Sequence, residues 1–283
     1  VFNCRDGLIE RVNVLNSFDH GLWDAGANIN IGPHSTNITV RGGLFQNIGS
    51  ARTNSVIVAD GTAISPTGWL IEGVEFRDNF RHVDPYDEYD GYPFTDCIIR
   101  NCRMYGSIDS AVYTSGSTNA HGVMVEGNYI EQPRNYSRRG TNAWSPASGI
   151  HFNSGQRPVI RNNTVRGYSV GVNLVSTTDL YGPQVIGNVL EFQTNHWTLG
   201  AGYGIYAGDS IAATHRIFNA HIANNLIREA SGKAMYFFGL ADSIIQNNYM
   251  SEPVAAGGAD AVHFQDAGGA TANSNILVVG NTI

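Results

Sequence analysis

Apolar and polar positions recur along this chain as one hexapeptide: apolar, variable, Gly or Asn, mostly Asn, variable, apolar. Copies begin at Ile9, Val40, Ile71, Ile99, Val125, Ile160, Val185, Ile222, Ile245 and Val278. Successive copies lie 23 to 37 residues apart, a spacing that signals a stacked array of short units. The third position is Gly42, Gly73, Asn101, Gly127, Asn162, Gly187, Asn224, Asn247 or Gly280, with Arg11 as the exception. Gly and Asn tolerate positive φ, so each unit is predicted to turn a corner there between two short strands. The fourth position is Asn128, Asn163, Asn188, Asn225, Asn248 and Asn281 in the last six units. Stacked in register, these amides would form a ladder. Flanking β-branched residues such as Ile98, Ile99, Val159, Ile160, Ile244 and Ile245 are strand formers. A thin coil of this kind gains a core only by stacking on its neighbours.

A second alignable strand follows each corner. Its segments begin at Gly21, Ser55, Arg81, Ala111, Gly149, Gly171, Gly204, Ala234 and Ala261. Alternation along a strand predicts that Leu22, Val56, Val112, Ile150, Val172, Ile205, Met235 and Val262 point inward. Trp23, Ile57, Val83, Tyr113, His151, Asn173, Tyr206, Tyr236 and His263 are then predicted to form one exposed stripe.

On these repeats the whole chain resembles the right-handed parallel β-helix proteins, a group that includes pectate lyases, mannuronan C5-epimerases, several glycoside hydrolases and phage tailspikes. The resemblance implies an all-β, single-stranded solenoid of about ten coils, forming one domain over residues 1–283 and lacking one or both caps. It is specific for fold and says little of function.

Composition fits that reading. Of 283 residues 33 are Gly, and charged residues make up only 14%, as suits a turn-rich coil. The net charge of −7 argues against nucleic acid as a partner. Six Arg (Arg134, Arg138, Arg139, Arg157, Arg161 and Arg166) still make a local basic patch, read either as solvated surface or as a site for anions. Cys4, Cys97 and Cys102 give no disulfide framework. No apolar run is long enough to span a membrane. The chain has no initiator Met and no signal peptide, and it stops inside its tenth unit, so a piece of a longer protein is expected.

Long segments at 131–147, 191–203, 86–94 and 209–220 would wall the stripe over Tyr113, His151, Asn173 and Tyr206. Aromatic faces beside a groove suit sugar rings, and Trp23, Asn173, Tyr206 and Tyr236 are candidate substrate contacts. Trp144, His196 and Trp197 would either clamp a sugar chain or pack loop against coil. The acidic run Asp84, Asp87, Glu88 and Asp90 would bind Ca²⁺, supply carboxylates such as Asp84 and Asp87 for glycoside hydrolysis, or be plain solvated surface. It resembles the Asp-Pro-His-Glu stretch of mannuronan epimerases at Asp84 and Pro85, with Tyr86 and Asp87 replacing the His and Glu. Tyr113 and His151 fall on adjacent coils and would exchange a C5 proton, while Arg138 or Arg139 neutralises a uronate carboxylate.

Two function classes follow. One is an enzyme acting on an acidic polysaccharide, a lyase or C5-epimerase, or a hydrolase using the carboxylates. The other is a carbohydrate-binding tailspike or adhesin without robust catalysis, monomeric, or trimeric through Phe237, Phe238, Ile57 and Val83. Either places the chain outside the cell or on a cell or virion surface. An ice-binding solenoid is disfavoured because the stripe lacks regular Thr rows.

Overall fold

The computed structural model describes residues 4–16, 29–31, 35–47, 55–60, 67–86, 95–114, 121–133, 147–153, 155–175, 178–193, 202–208, 215–251, 260–265 and 272–283, with backbone alone at 29–31, 55–60 and 85–86. The described strands fall into a 19-stranded and a 9-stranded sheet. Every pairing between them is parallel, and each strand pairs with its counterpart one coil away. Val125, for example, pairs with Ile99 on one side and Ile160 on the other. The chain is an all-β parallel β-helix. Among the described residues there is no helix, and hence none long and apolar enough to cross a membrane.

The ten corner positions read from the sequence all have positive φ, and Arg11 adopts 53° like its Gly and Asn counterparts. The two apolar ends of the hexapeptide point into the coil. Ile71, Ile99, Ile160 and Val185 stack on one side of a corner, and Phe76, Met104, Val165 and Leu190 on the other, all fully buried. That continuous file of side chains is the core, and its burial drives the stacking.

The polar corner is satisfied by the Asn ladder. Asn188 Nδ2 donates to Ile160 O at 2.9 Å and to Asn225 Oδ1 at 3.0 Å. Its own Oδ1 accepts from the backbone N–H and Nδ2 of Asn163, each at 3.0 Å. The same bonding runs from Asn128 through Asn163, Asn188, Asn225 and Asn248 to Asn281.

Two further corner columns flank the expected one. Asp6, Asn37, Gly68, Asp96, Gly122, Arg157, Gly182, Asn219, Asp242 and Asn275 have positive φ five residues before the hexapeptide corner. Asn16, Asn47, Asp78, Gly106, Gly167, Phe192 and Glu229 have it five residues after. Side chains bond up these columns too, as in Asn37 to Asp6 and Asn47 to Asn16, both at 2.9 Å.

The 9-stranded sheet closes the coil and carries the candidate site. It approaches the other sheet closely where Gly occurs. A Cβ at Gly149 would lie 2.2 Å from Val165 Cγ1, and one at Gly204 would lie 2.5 Å from Ile227 Cγ2. Its first described strand, Ile29–Ile31, pairs with Ser55–Asp60, whereas the sequence placed that strand at Gly21. Trp23 lies outside the described residues.

Candidate functional site

The outward side of the 9-stranded sheet is the predicted stripe, with one shift in register. Tyr113 pairs with His151, His151 with Asn173, Asn173 with Tyr206, Tyr206 with Tyr236 and Tyr236 with His263. Below Tyr113 the column changes. Val83 pairs with Val112, and Ile57 with Val83. Val83 is therefore a core residue, and Asp84 takes the outward place next to Tyr113. The strand simply pairs one residue further along than the repeat alignment placed it, with Val83 rather than His82 opposite Val112, and a one-residue offset exchanges inside and outside.

The stripe is not open. His151 is 5% exposed, Asn173 0% and Tyr206 4%, while Tyr113 and Tyr236 are half-buried. The shift brings charge to the foot of the column. Arg81 Nε bonds Asp109 Oδ2 at 2.6 Å, Arg81 Nη1 bonds Asp84 Oδ2 at 2.9 Å, and the guanidinium carbon lies 3.7 Å from the centre of the Tyr113 ring. Burial alone would lower the Arg81 pKa, but Asp109 and then Asp84 outweigh it, so the guanidinium stays firmly charged. Burial pushes Asp109 up against the opposing Arg81 charge. At 2.6 Å from a charged guanidinium we treat the pair as ionic at neutral pH.

Tyr113 and His151 meet edge to face, with ring centres 4.8 Å apart. Burial raises the Tyr113 hydroxyl pKa, and Arg81 opposes the shift. Its hydroxyl accepts a bond from Asn153 Nδ2 at 3.4 Å. Burial lowers His151 to about 3, the Arg81 charge acts in the same sense, and the Val175 backbone opposes both. His151 is thus neutral at pH 7. Among the described residues neither of its ring nitrogens makes a hydrogen bond of ordinary geometry, and Asn173 Oδ1 on the next coil is also unpartnered. Buried polar atoms are rarely left so. Three of them on adjacent coils mark a place where a ligand's hydroxyls or water would be held.

Further along the column lies an aromatic group of Tyr203, Tyr206, Tyr236, Phe238 and His263. Tyr206 stacks on Tyr236 with centres 5.4 Å apart, and Tyr236 on His263 at 5.0 Å and 6°. Phe238 stands edge-on to Tyr236 at 4.9 Å. Because the rings stack on one another, they offer solvent an apolar ledge of ring edges rather than open faces. Polar groups line it: Tyr236 Oη donates to Gln265 Oε1 at 3.4 Å, and Asp260 accepts from His263 and Lys233. The His263 bond is the largest influence lowering the Asp260 pKa, followed by Lys233.

Sequence reasoning found Tyr113, His151, Asn173, Tyr206 and Tyr236, and the structure brings them into one column. It missed Arg81, whose guanidinium lies over the Tyr113 ring, and its partner Asp109, as well as Tyr203 and Phe238, which lie off the column. The latter two stood in the sequence as aromatics two or three residues from Tyr206 and Tyr236. Phe237 is a core residue, so with Val83 it offers nothing to a partner chain. Arg138, Arg139, Trp144, Trp197, Asp87, Glu88 and Asp90 lie outside the described residues. Asp84, the described member of the acidic run, is engaged by Arg81. Among the described residues no three His, Cys, Asp or Glu converge as a metal site.

No protein-family model matches this chain, and no curated protein sequence does. Solved structures do. A surface protein and adhesin of Streptococcus pneumoniae, PfbA, superposes with a TM-score of 0.57 at 13% identity, over 98% of this chain and 81% of its own. The tailspike of E. coli bacteriophage HK620, solved with a pentasaccharide, gives 0.54 at 14% identity, over 86% of this chain and 50% of its own. The Dettilon tailspike gives 0.51 at 14%, over 86% and 47%. This chain spans about half the length of those tailspike chains. At such identities the likeness speaks to fold, and the fold is the right-handed parallel β-helix of tailspikes and surface adhesins.

Proposed function

We propose that this protein binds a polysaccharide along the outer face of its 9-stranded sheet, at a cell or virion surface. The observation that carries the reading is the aromatic ledge of Tyr236, Phe238 and His263 with its polar border. Sugar rings have an apolar face and a rim of hydroxyls, and such a ledge answers both. Likeness to an adhesin, and to a tailspike solved with a pentasaccharide, supports it. The test is binding across a panel of surface polysaccharides by wild type and by Tyr236→Ala/Phe238→Ala. Loss in the variant, with its melting temperature kept, supports the ledge. Equal binding by both places recognition elsewhere.

A second reading adds chemistry at the other end of the column. The orphaned ring nitrogens of His151, set against Tyr113, favour it. On an acidic glycan, neutral His151 would take the C5 proton and Tyr113 would return it or protonate the leaving group. Arg81 beneath Tyr113 would support the developing charge, in addition to Arg138 or Arg139. His151 is buried and Tyr113 half-buried, so this reading requires His151 to be uncovered on binding. Absorbance of unsaturated uronate separates a lyase from a hydrolase, an epimerase or a binder. His151→Ala should slow turnover by about 10²–10⁴, and a wild type that binds but never alters a glycan ends this reading.

A further inference from the structure

A different face carries a second arrangement suited to a ligand. Just before the first strand of each coil, Gln156 pairs with Tyr181 and Tyr181 with Phe218. The Tyr181 and Phe218 rings stack with centres 5.1 Å apart and planes within 10°. Phe218 thus covers one face of Tyr181. The neighbour on the other side is Gln156, which has no ring to cover the second face, and Tyr181 is left 42% exposed. Tyr181 borders a depression of about 480 Å³ whose other walls are Gln156, Arg157, Gly182 and Asn219.

Arg157 sets this place apart. It holds a left-handed corner, with φ of 53°, where the coils on either side have Gly122 and Gly182. That conformation costs a residue with a Cβ and costs Gly nothing. Gly182 leaves room for it: a Cβ there would lie 3.3 Å from Arg157 Cγ. The strain brings Arg157 no internal bond, because among the described residues its guanidinium has no salt-bridge or hydrogen-bond partner. Arg161 and Arg166 nearby are paired, with Glu126 and Glu191. The nearest described carboxylate on Tyr181 is Asp179, which accepts from the Tyr181 hydroxyl at 3.4 Å and from the Arg216 backbone N–H at 2.8 Å.

A strained cation with no partner among the described residues, beside an exposed aromatic ring, calls for a ring with an apolar side and a carboxylate. We infer that this depression is a second saccharide site, specific for a carboxylated sugar. Tyr181 stacks under the sugar ring, Arg157 pairs with its carboxylate, and Gln156 and Asn219 reach its hydroxyls. The site shares no residue with the aromatic ledge, so either can fail without the other.

The test uses the full chain carrying Tyr236→Ala/Phe238→Ala, so that the ledge does not contribute. Calorimetric titration compares tetragalacturonate, sialyllactose and neutral maltotetraose. At least one acidic probe should bind about 10-fold or more tightly than maltotetraose, a typical share for one charge-assisted contact, and the probe that does so names the acid. Arg157→Gln should erase the preference, and Tyr181→Ala should weaken the preferred probe. Arg157→Gly separates ligand from fold, since it should lose the preference with a melting temperature no lower than its parent's. No preference for either acid, or a preference that survives Arg157→Gln, overturns the site.

Discussion

Asn188→Ala removes one rung from the middle of a buried ladder, and its cost can be worked bond by bond. The backbone N–H of Asn163 loses its acceptor, Asn188 Oδ1. Ile160 O loses the donor Asn188 Nδ2. Asn163 Nδ2 keeps its bond to Val125 O, and Asn225 Oδ1 keeps the Asn188 backbone N–H. Ile160 O keeps the Ile186 N–H of the parallel ladder, so one buried group, the Asn163 N–H, is stranded and three are half-served. At about 1–3 kcal/mol for a stranded group, the variant should lose about 2–3 kcal/mol. Asn281 stands at the end of the ladder and is only half-buried, so water can replace what it gave to Asn248. Asn281→Ala should cost about 1 kcal/mol. Urea unfolding followed by circular dichroism measures both through the shift in midpoint. A midpoint for Asn188→Ala that corresponds to under about 0.5 kcal/mol would refute the ladder as a source of stability. Equal costs at the two positions would refute its dependence on burial.

Three further outcomes are expected. Burial holds His82 and His151 down at about 3, against 6.5 unfolded, so their contribution is complete above pH 6.5 and lost as pH falls toward 3. At about 1.4 kcal/mol per unit for each, the pair should remove about 4 kcal/mol by pH 5, Asp109 opposing this only below its own raised pKa, and a melting temperature flat from pH 7 to 5 would contradict it. Gly171→Ala should cost about 1–3 kcal/mol by overpacking against Gly204 O of the next coil, and an unchanged urea midpoint would show that the neighbouring strand can give way there. If Asp84, Asp87, Glu88 and Asp90 hold Ca²⁺, chelation should lower the melting temperature and added Ca²⁺ restore it; a curve indifferent to chelator speaks for a solvated loop.

Much of the scaffold was legible because its physics is local. Gly and Asn at the hexapeptide corner, and apolar residues at its two ends, announce φ and burial directly. The two outer corner columns were also present, as turn residues five positions to either side, but Arg157, Phe192 and Glu229 interrupt them with residues that rarely adopt positive φ. The one-residue offset at His82 and Val83 left no compositional trace, since both residues are buried. Register depends on pairing with the neighbouring coil, which the local sequence does not decide. That single offset hid Arg81 and Asp109 and moved Asp84 into the column. Burial of His151 and Asn173 was equally hidden, because alternation predicts the side of a sheet but not what lies over it.

The regular spacing of the corners divides each coil into a constant part and a free part. From Asp6 to Asn16, and again from Arg157 to Gly167, three corners occupy the same number of positions. All the variation in repeat length falls in the remainder, which is about twice as long in the longest coil as in the shortest. Lengthening a closed loop twofold costs only about 0.6 kcal/mol. Insertions on the free part therefore leave the stacking registration untouched, and the chain behaves as a rack with interchangeable trays. Surface specificity can be rewritten one coil at a time, by lineage or by design, without renegotiating the spine.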